Sequence, residues 1–377
     1  METLCPNKEL CGSCGWSHIP YAKQLIQKLS DINFSLKLHQ IPFECKAIIP
    51  SPKTNHYRNR MDFVIDFEGK VGLRQKGKWW KVIDDHTCFI ADSHIEDLFH
   101  IVRDWVNHCE LSFYDRKKFI GLLRYAVIRY MQSGQSMITI VTSKPIDNSE
   151  MDHIKSKLIK LSNLTKSTTL IWAINETTSD TSHGGTNQVI AGPGYITETI
   201  NGFKYYISPD SFFQTNSYTS PILMDTVINM SGDISNQTVV DLYCGSGFFS
   251  FPLANKAKQV IGVESVQEAI LDAKQSNLLN KTTINFICDK SENFNLGEYR
   301  PDILIVDPPR TGLSQTVINS ILEVKPQTLI YVSCDYKRFS ENSKQLLKNY
   351  SISEITAIDM FPHTPHVELV TKFQIKE

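Results

Sequence analysis

The residues whose types and spacing could do chemistry concentrate in the last third of this 377-residue chain. Asp241-Leu-Tyr-Cys-Gly-Ser-Gly247 ends an apolar run, Thr238 to Tyr243, and opens into an apolar helical stretch. Glycines there let a ligand come close to the backbone, and the helix N-terminus beyond them favours polar or anionic groups. Glu264 closes the next apolar run, at the distance where an acidic side chain can hold the two hydroxyls of an adenosine ribose. The third glycine of the dinucleotide pattern is missing and a further acidic strand end, Asp289, follows. That pattern suits S-adenosylmethionine, a cation with an adenosyl group, better than NAD. A tight turn beside a surface glutamate is the plain alternative, and Asp307-Pro-Pro-Arg310 counts against it. The two prolines end a strand and fix an extended loop at the carboxyl edge of the sheet, which aims Asp307 at the same crevice.

The run Thr328 to Ser333 delivers Cys334 to that edge too. Cysteine is often a buried small hydrophobe, but methylation at carbon 5 of a pyrimidine would give this thiol a task. Carbon 5 is a poor nucleophile until a thiolate adds to carbon 6. A base must then remove the carbon-5 proton so that the thiol can leave. Glu368, in Phe361-Pro-His-Thr-Pro-His-Val-Glu368, is a candidate for that base, since partial burial would raise its pKa into a useful range. His363 and His366 compete with it.

At the other end of the chain, Cys5, Cys11 and Cys14 are close enough in sequence to bind one metal centre from a single loop. A fourth ligand must come from elsewhere, and Cys88 is the candidate. Four thiolates suit zinc and iron-sulfur equally well. Between Lys53 and Lys81, eight Lys or Arg face three acids, with Tyr57, Trp79 and Trp80 interleaved. Cations for phosphates and aromatic faces for unstacked bases are what single-stranded RNA loops require. A solvated basic hairpin is the alternative. Arg116, Lys117, Lys118, Arg124 and Arg129 form a second basic group that would extend the same surface.

These residues need elements to hold them. Hydrophobic residues make up 41% of the chain and charged residues 21%, a globular composition, and the net charge of -1 means that any nucleic-acid signal must be local. No signal-peptide core and no apolar stretch of about 18 residues is present, which predicts a cytoplasmic protein with reduced cysteines and no membrane association. From about 40 to 200, short β-rich runs with one helical stretch, His94 to His108, predict an α+β domain. From about 238, apolar strands alternate with helical segments, which predicts a doubly wound parallel sheet. The final runs Ile355 to Met360 and Val367 to Gln374 predict an antiparallel pair at one end of it. The expected division is 1–207 and 208–377, with a helix near 19–29 that could pack on the second domain.

Taken together, the chain resembles the RNA uracil-5-methyltransferase family, whose members form 5-methyluridine in tRNA and 23S rRNA. The resemblance rests on Cys5, Cys11-Gly-Ser-Cys14 with His18, Tyr57-Arg-Asn-Arg-Met61, Ser211-Phe-Phe-Gln-Thr-Asn216, Asp241-Leu-Tyr-Cys-Gly245, Asp307-Pro-Pro-Arg310, Ser333-Cys334 and Asp359-Met-Phe-Pro-His-Thr-Pro-His-Val-Glu368. It implies a Rossmann-like catalytic domain and an N-terminal domain that carries a [4Fe-4S] cluster and binds RNA. It also implies Cys334 as nucleophile, Glu368 as base, and Gln214, Tyr243, Glu264, Asp307 and, more weakly, Asp289 as S-adenosylmethionine contacts. Gln214 could equally be a loop anchor. For the cysteines, it favours iron-sulfur over zinc. The expected enzyme is a monomer acting on a looped or flipped-out uridine. With no β-barrel ahead of Cys5, 23S rRNA is the expected substrate and the tRNA T-loop the alternative; a non-catalytic RNA-binding protein is the reading of another class. One departure stands out. The family commonly reads Asn-Pro after the nucleophile, whereas here Asp335-Tyr336 follows, and the extra negative charge should raise the thiol's pKa unless Arg310, Lys337 or Arg338 offsets it.

Overall fold

The computed structural model describes residues 5–85 and 88–376. In chain order its elements begin with α1 (Tyr21–Leu38), β1 (Ile48–Ile49), β2 (Arg60–Ile65), β3 (Val71–Gln75), β4 (Lys78–Asp84), α2 (Ser93–His108), β5 (Leu123–Tyr130), β6 (Ser136–Ser143), α3 (Asn148–Thr165) and β7 (Thr169–Asn175). There follow β8 (Thr186–Ala191), β9 (Ile196–Ile200), β10 (Phe203–Ile207), α4 (Ser220–Ser231), β11 (Thr238–Leu242), α5 (Ser250–Ala254), β12 (Gln259–Glu264), α6 (Gln267–Asn280) and β13 (Asn285–Cys288). The chain closes with α7 (Leu296–Tyr299), β14 (Ile303–Val306), α8 (Gln315–Val324), β15 (Thr328–Ser333), α9 (Tyr336–Leu346), β16 (Tyr350–Ile358) and β17 (Glu368–Ile375). No helix among the described residues is long and apolar enough to cross a membrane.

Two compact units result. The first takes the stretch up to His18, Lys53–Glu198 and Ile207–Asp210; the second takes Ile19–Pro52, Thr199–Tyr206 and the stretch from Ser211. The first holds a seven-stranded sheet in the order β4-β3-β2-β5-β6-β7-β8. All its pairings are antiparallel except β6 with β7, which α3 connects. The α2 helix starts where Asp92 accepts a hydrogen bond from the His94 N–H, and it buries Ile95, Leu98, Phe99, Val102, Trp105 and Val106, a stripe of helical period.

In the second unit the sheet order is β1-β16-β17-β15-β14-β11-β12-β13. Strands β11 to β15 are mutually parallel. They are short apolar runs, several of them buried along their whole length, because helices cover both faces of such a sheet. The β17 strand lies antiparallel between β15 and β16, and β1 adds parallel to β16. The boundary therefore differs from a single cut at 207. Residues 19–52 belong to the second unit, since Ile32, Leu36, Ile41 and Cys45 join the core of its sheet and β1 extends its edge. A two-residue strand has no periodicity to read, which is why composition did not place it.

Candidate active site

The topology brings the predicted residues into one row. At the carboxyl edge, adjacent strands in the order β13-β12-β11-β14-β15 are followed by Asp289, ended by Glu264, and followed by Tyr243, Asp307 and Cys334 respectively. The next strand, β17, runs the other way, so its first residue, Glu368, reaches the same edge. Ser333 pairs with Leu369, and one more step of that register sets Cys334 opposite Glu368. At about 4.8 Å per strand, the row from Asp289 to Glu368 spans roughly 24 Å.

The cofactor turn has the backbone its glycines imply. Tyr243, Gly245 and Gly247 all have left-handed φ, at 64°, 53° and 85°. A Cβ on Gly247 would strike the Phe251 and Phe286 rings at 2.7 and 2.9 Å, whereas one on Gly245 would meet nothing within 4 Å, which leaves an open approach to the backbone. Glu264 braces the turn: its Oε2 accepts from the Gly245 N–H (3.2 Å) and its Oε1 from the Val266 N–H (2.8 Å). Below it, the buried Asp241 accepts from Ser250 Oγ (2.6 Å), and burial pushes its carboxyl up to about 7. Asp289 donates its N–H to the Glu264 carbonyl (3.0 Å). Gln214 is buried in the loop that precedes α4.

The reacting end is rich in acids. Burial, then Glu368, then Asp241 hold the Asp307 carboxyl well above the usual range. Burial pushes Glu368 up to about 7, with Arg310 pulling it down. The Cys334 thiol is pushed up to about 12 by burial, then by Glu368 and Asp307, and is drawn back by Arg310. The leading acids here are Glu368 and Asp307 rather than the neighbouring Asp335. Its carboxylate caps α9 and accepts from the Lys337 and Arg338 N–H groups (2.9 and 3.1 Å). Of the three cations considered as its offset, Arg310 is the one with a leading effect on the thiol. His363 is tied to Gln24 through its backbone N–H, whereas burial, then Arg310 and Lys28 lower the pKa of His366, which shares Arg310 with Glu368 and Cys334.

An acid-lined edge with an open glycine turn and no phosphate cradle fits a sulfonium cation bearing an adenosyl group. Tyr243, Glu264, Asp289 and Asp307 line that edge, and Gln214 lies in the loop ahead of α4. Sequence reasoning missed three buried polar residues around this edge: Gln24, Lys28 and Asn216. For Lys28 a signal existed, because it lies four residues before Ile32, on the same face of α1.

In the first unit, Cys5, Cys11 and Cys88 are buried and Cys14 is half-buried. The Cys14 thiol is pushed up to about 12 by burial and then by Cys88, Cys11 and Cys5, so the four sulfurs lie within electrostatic reach of one another. Four thiols and no acid are the donor chemistry of a thiolate-held centre. Yet among the described residues no group of three or more His, Cys, Asp or Glu is gathered to hold a metal ion. Beside this loop is a cleft of about 660 Å³, lined in part by Gly12, Ser13, Arg74, Lys76, Lys78 and Trp79. Lys76, Lys78, Trp79, Trp80 and Lys81 are all exposed at the β3–β4 hairpin, and the two indoles meet edge to face at 6.0 Å. Part of the local positive charge is neutralised, by Arg60 on Asp62 (2.8 Å), Lys70 on Glu68 and Arg74 on Asp180. The second basic group is corrected. Arg124 and Arg129 are buried, Arg124 donating to the Thr177 carbonyl (2.8 Å) and Arg129 to that of Pro209 (3.2 Å), and Arg116 pairs with Asp180 (2.7 Å), which leaves Lys117 and Lys118 at the surface.

The catalytic unit has the fold of an S-adenosylmethionine-dependent methyltransferase. Residues 20–295 and 288–372 match the model of the tRNA (uracil-5-)-methyltransferase family, and the chain belongs to that family. It is 36% identical over 382 residues to an uncharacterized RNA methyltransferase of Caldanaerobacter subterraneus subsp. tengcongensis, covering 98% of this chain and 84% of that one. It is 35% identical over 368 residues to the tRNA (uracil(54)-C(5))-methyltransferase of Pyrococcus furiosus, covering 97% and 83%. Its fold is similar to the crystal structure of the Pyrococcus abyssi tRNA (uracil-54, C5)-methyltransferase in complex with S-adenosyl-L-homocysteine, with a TM-score of 0.81 and 31% identity over 97% of this chain and 86% of that one.

Proposed function

We propose that this enzyme methylates carbon 5 of a uridine in structured RNA, with tRNA as the substrate, acting as a cytoplasmic monomer. The observation that carries the chemistry is the register that sets Cys334 opposite Glu368 in a row with Asp307 and the glycine turn. Bound at that turn, S-adenosylmethionine supplies a methyl group on a sulfonium, an electrophile for carbon 5. The Cys334 thiolate forms a bond to carbon 6, and the displaced pair makes carbon 5 the nucleophile toward that methyl. Glu368 then takes the carbon-5 proton; the electrons left behind restore the 5,6 double bond and expel the thiolate. Asp307, Glu264, Tyr243, Gln214 and Asp289 bind and orient the methyl donor. A thiol and a donor on opposite faces of the ring require a uridine out of its stack.

The choice of tRNA departs from the expected 23S rRNA, and the Pyrococcus relatives named for uracil 54 of tRNA support it. The purified enzyme with S-adenosylmethionine should form 5-methyluridine in unmodified tRNA transcripts, read by nucleoside mass spectrometry. Methylation confined to 23S rRNA would reverse the substrate, and none in either RNA would remove the activity.

The four cysteines hold a [4Fe-4S] cluster in this reading, with zinc as the alternative donor-compatible metal. No step of the reaction uses it. Anaerobic purification should yield about four irons and four sulfides per chain, whereas zinc without iron would decide for the alternative.

The β3–β4 hairpin and its cleft contact the RNA. Replacing Lys78 and Lys81 by alanine should weaken RNA binding and flatten its salt dependence by about 0.7 in logarithmic slope per lost phosphate contact. Trp79→Ala should cost about 1–3 kcal/mol if a base stacks there. Fluorescence anisotropy at several salt concentrations reads both, and unchanged affinity and slope would place RNA elsewhere.

A further inference from the structure

We propose that Gln24 and Lys28 of α1 are positioning residues for this reaction: they clamp the turn from Asp359 to His363 and thereby hold Glu368 against Cys334. The inference rests on the reading of Glu368 as the base, and all the residues it uses lie in the second unit.

The turn joins β16 to β17, and Glu368 is the first residue of β17. It closes the β16–β17 ladder opposite Ile358, the last residue of β16, so the turn between these two residues bears directly on where the Glu368 side chain sits. That turn is gripped at four of its five residues, Asp359, Met360, Phe361 and His363. Lys28 Nζ donates to Asp359 Oδ1 (2.6 Å) and to the Phe361 carbonyl (3.2 Å), and neither charged side chain has any solvent exposure. Gln24 Oε1 accepts from the His363 N–H (2.8 Å), and its Nε2, which also donates to the Ile19 carbonyl (2.7 Å), lies 3.1 Å from His363 Nδ1. Asn216 Nδ2 donates to the Met360 carbonyl (2.9 Å), and the Asp359 N–H donates to that of Ile49 (2.9 Å).

Two features point past mere stability. His363 has a φ of 67°, a left-handed conformation uncommon outside glycine. Gln24 binds this residue at both backbone and ring. Moreover, a fully buried ion pair is a poor source of stability compared with apolar packing of the same volume. What Lys28 provides that a leucine could not is a directional hold on one carboxylate and one carbonyl of the turn.

The clamp is tested with Gln24→Leu and with the double variant Lys28→Met/Asp359→Leu, which leaves no single charge buried. Each is assayed with uridine-containing tRNA for kcat, for S-adenosylmethionine affinity, and for a protein–RNA adduct that survives denaturing gels, with Glu368→Gln alongside. A displaced base should slow proton removal after the thiol has added. The expected result is a fall in kcat of about 100-fold, unchanged cofactor affinity, and adduct accumulation like that of Glu368→Gln. Wild-type kcat with no adduct in the folded variants, while Glu368→Gln does accumulate it, overturns the clamp alone. No adduct in Glu368→Gln either overturns the role of Glu368 and the clamp with it.

Discussion

Cys334→Ala is expected to lower uridine methylation by about 10⁴-fold or more, the scale on which loss of a covalent nucleophile is felt. S-adenosylmethionine should still bind, because the glycine turn, Glu264 and the other residues along the edge are untouched. The cause is electronic. Without a bond at carbon 6, carbon 5 of uracil has no electron pair to offer, and no rearrangement of neighbouring acids can provide one. A companion measurement identifies the atom. RNA carrying 5-fluorouridine at the target should become covalently trapped on the wild-type enzyme, since fluorine cannot leave as a proton, and the band should be absent for Cys334→Ala. A trapped band in that variant would assign the nucleophile elsewhere; full methylation by it would point to a reaction that needs no thiol.

Glu368→Gln is the second large effect, a loss in turnover of about 10²–10⁴-fold, the usual contribution of a general base. Here the adduct with ordinary uridine should accumulate, because addition and methyl transfer precede the missing step. In the wild-type enzyme the same carboxyl should appear in the pH profile. Burial pushes it up to about 7, and a base works only when ionised. Turnover should therefore fall about tenfold per unit as pH drops below about 7. Trapping by 5-fluorouridine RNA bypasses that step. Its rate should instead climb with pH through the neutral range, following a thiol that burial, Glu368 and Asp307 hold near 12. A flat profile for both would remove Glu368 and Cys334 from these roles.

Much of this edge was legible in the chain itself. The run from Thr328 to Ser333 reads as a strand because every residue is apolar or small, and it is buried throughout. The same holds for Ile303–Val306, with Pro308 and Pro309 marking its end. The juxtaposition of Cys334 and Glu368 was not legible, because it depends on β17 entering the sheet beside β15 and in one register, a long-range choice that local periodicity does not encode. Charge counting failed for Arg124 for a related reason. Its strand is buried on both faces, so the guanidinium turns to loop carbonyls and to the Tyr114 ring, 4.4 Å away. Lys28 shows the converse: lysine in a helix ordinarily reads as solvent-facing, and only its place on the Ile32 face marked it as different.

The split of the second unit along the chain constrains how the protein can fold during synthesis. The α1 helix and β1 are made early, yet Lys28 meets Asp359 across 331 residues, and Ile48 and Ile49 pair with Ala357 and Ile358. Until α9, β16 and β17 exist, the side of α1 that carries Ile32 and Leu36 lacks its partners, since Ser35 bonds to Ser340 of α9 and Lys28 to Asp359. Strands β2 to β8 of the first unit lie together in sequence, so that unit can close while the other waits, since short-range pairings form before long-range ones. The nascent chain thus carries Ile32 and Leu36 without their final partners, the kind of surface on which chaperones act, until the last third of the chain is made. A chain truncated ahead of β16 would lose Asp359 and His363, the partners of Lys28 and Gln24, together with Glu368.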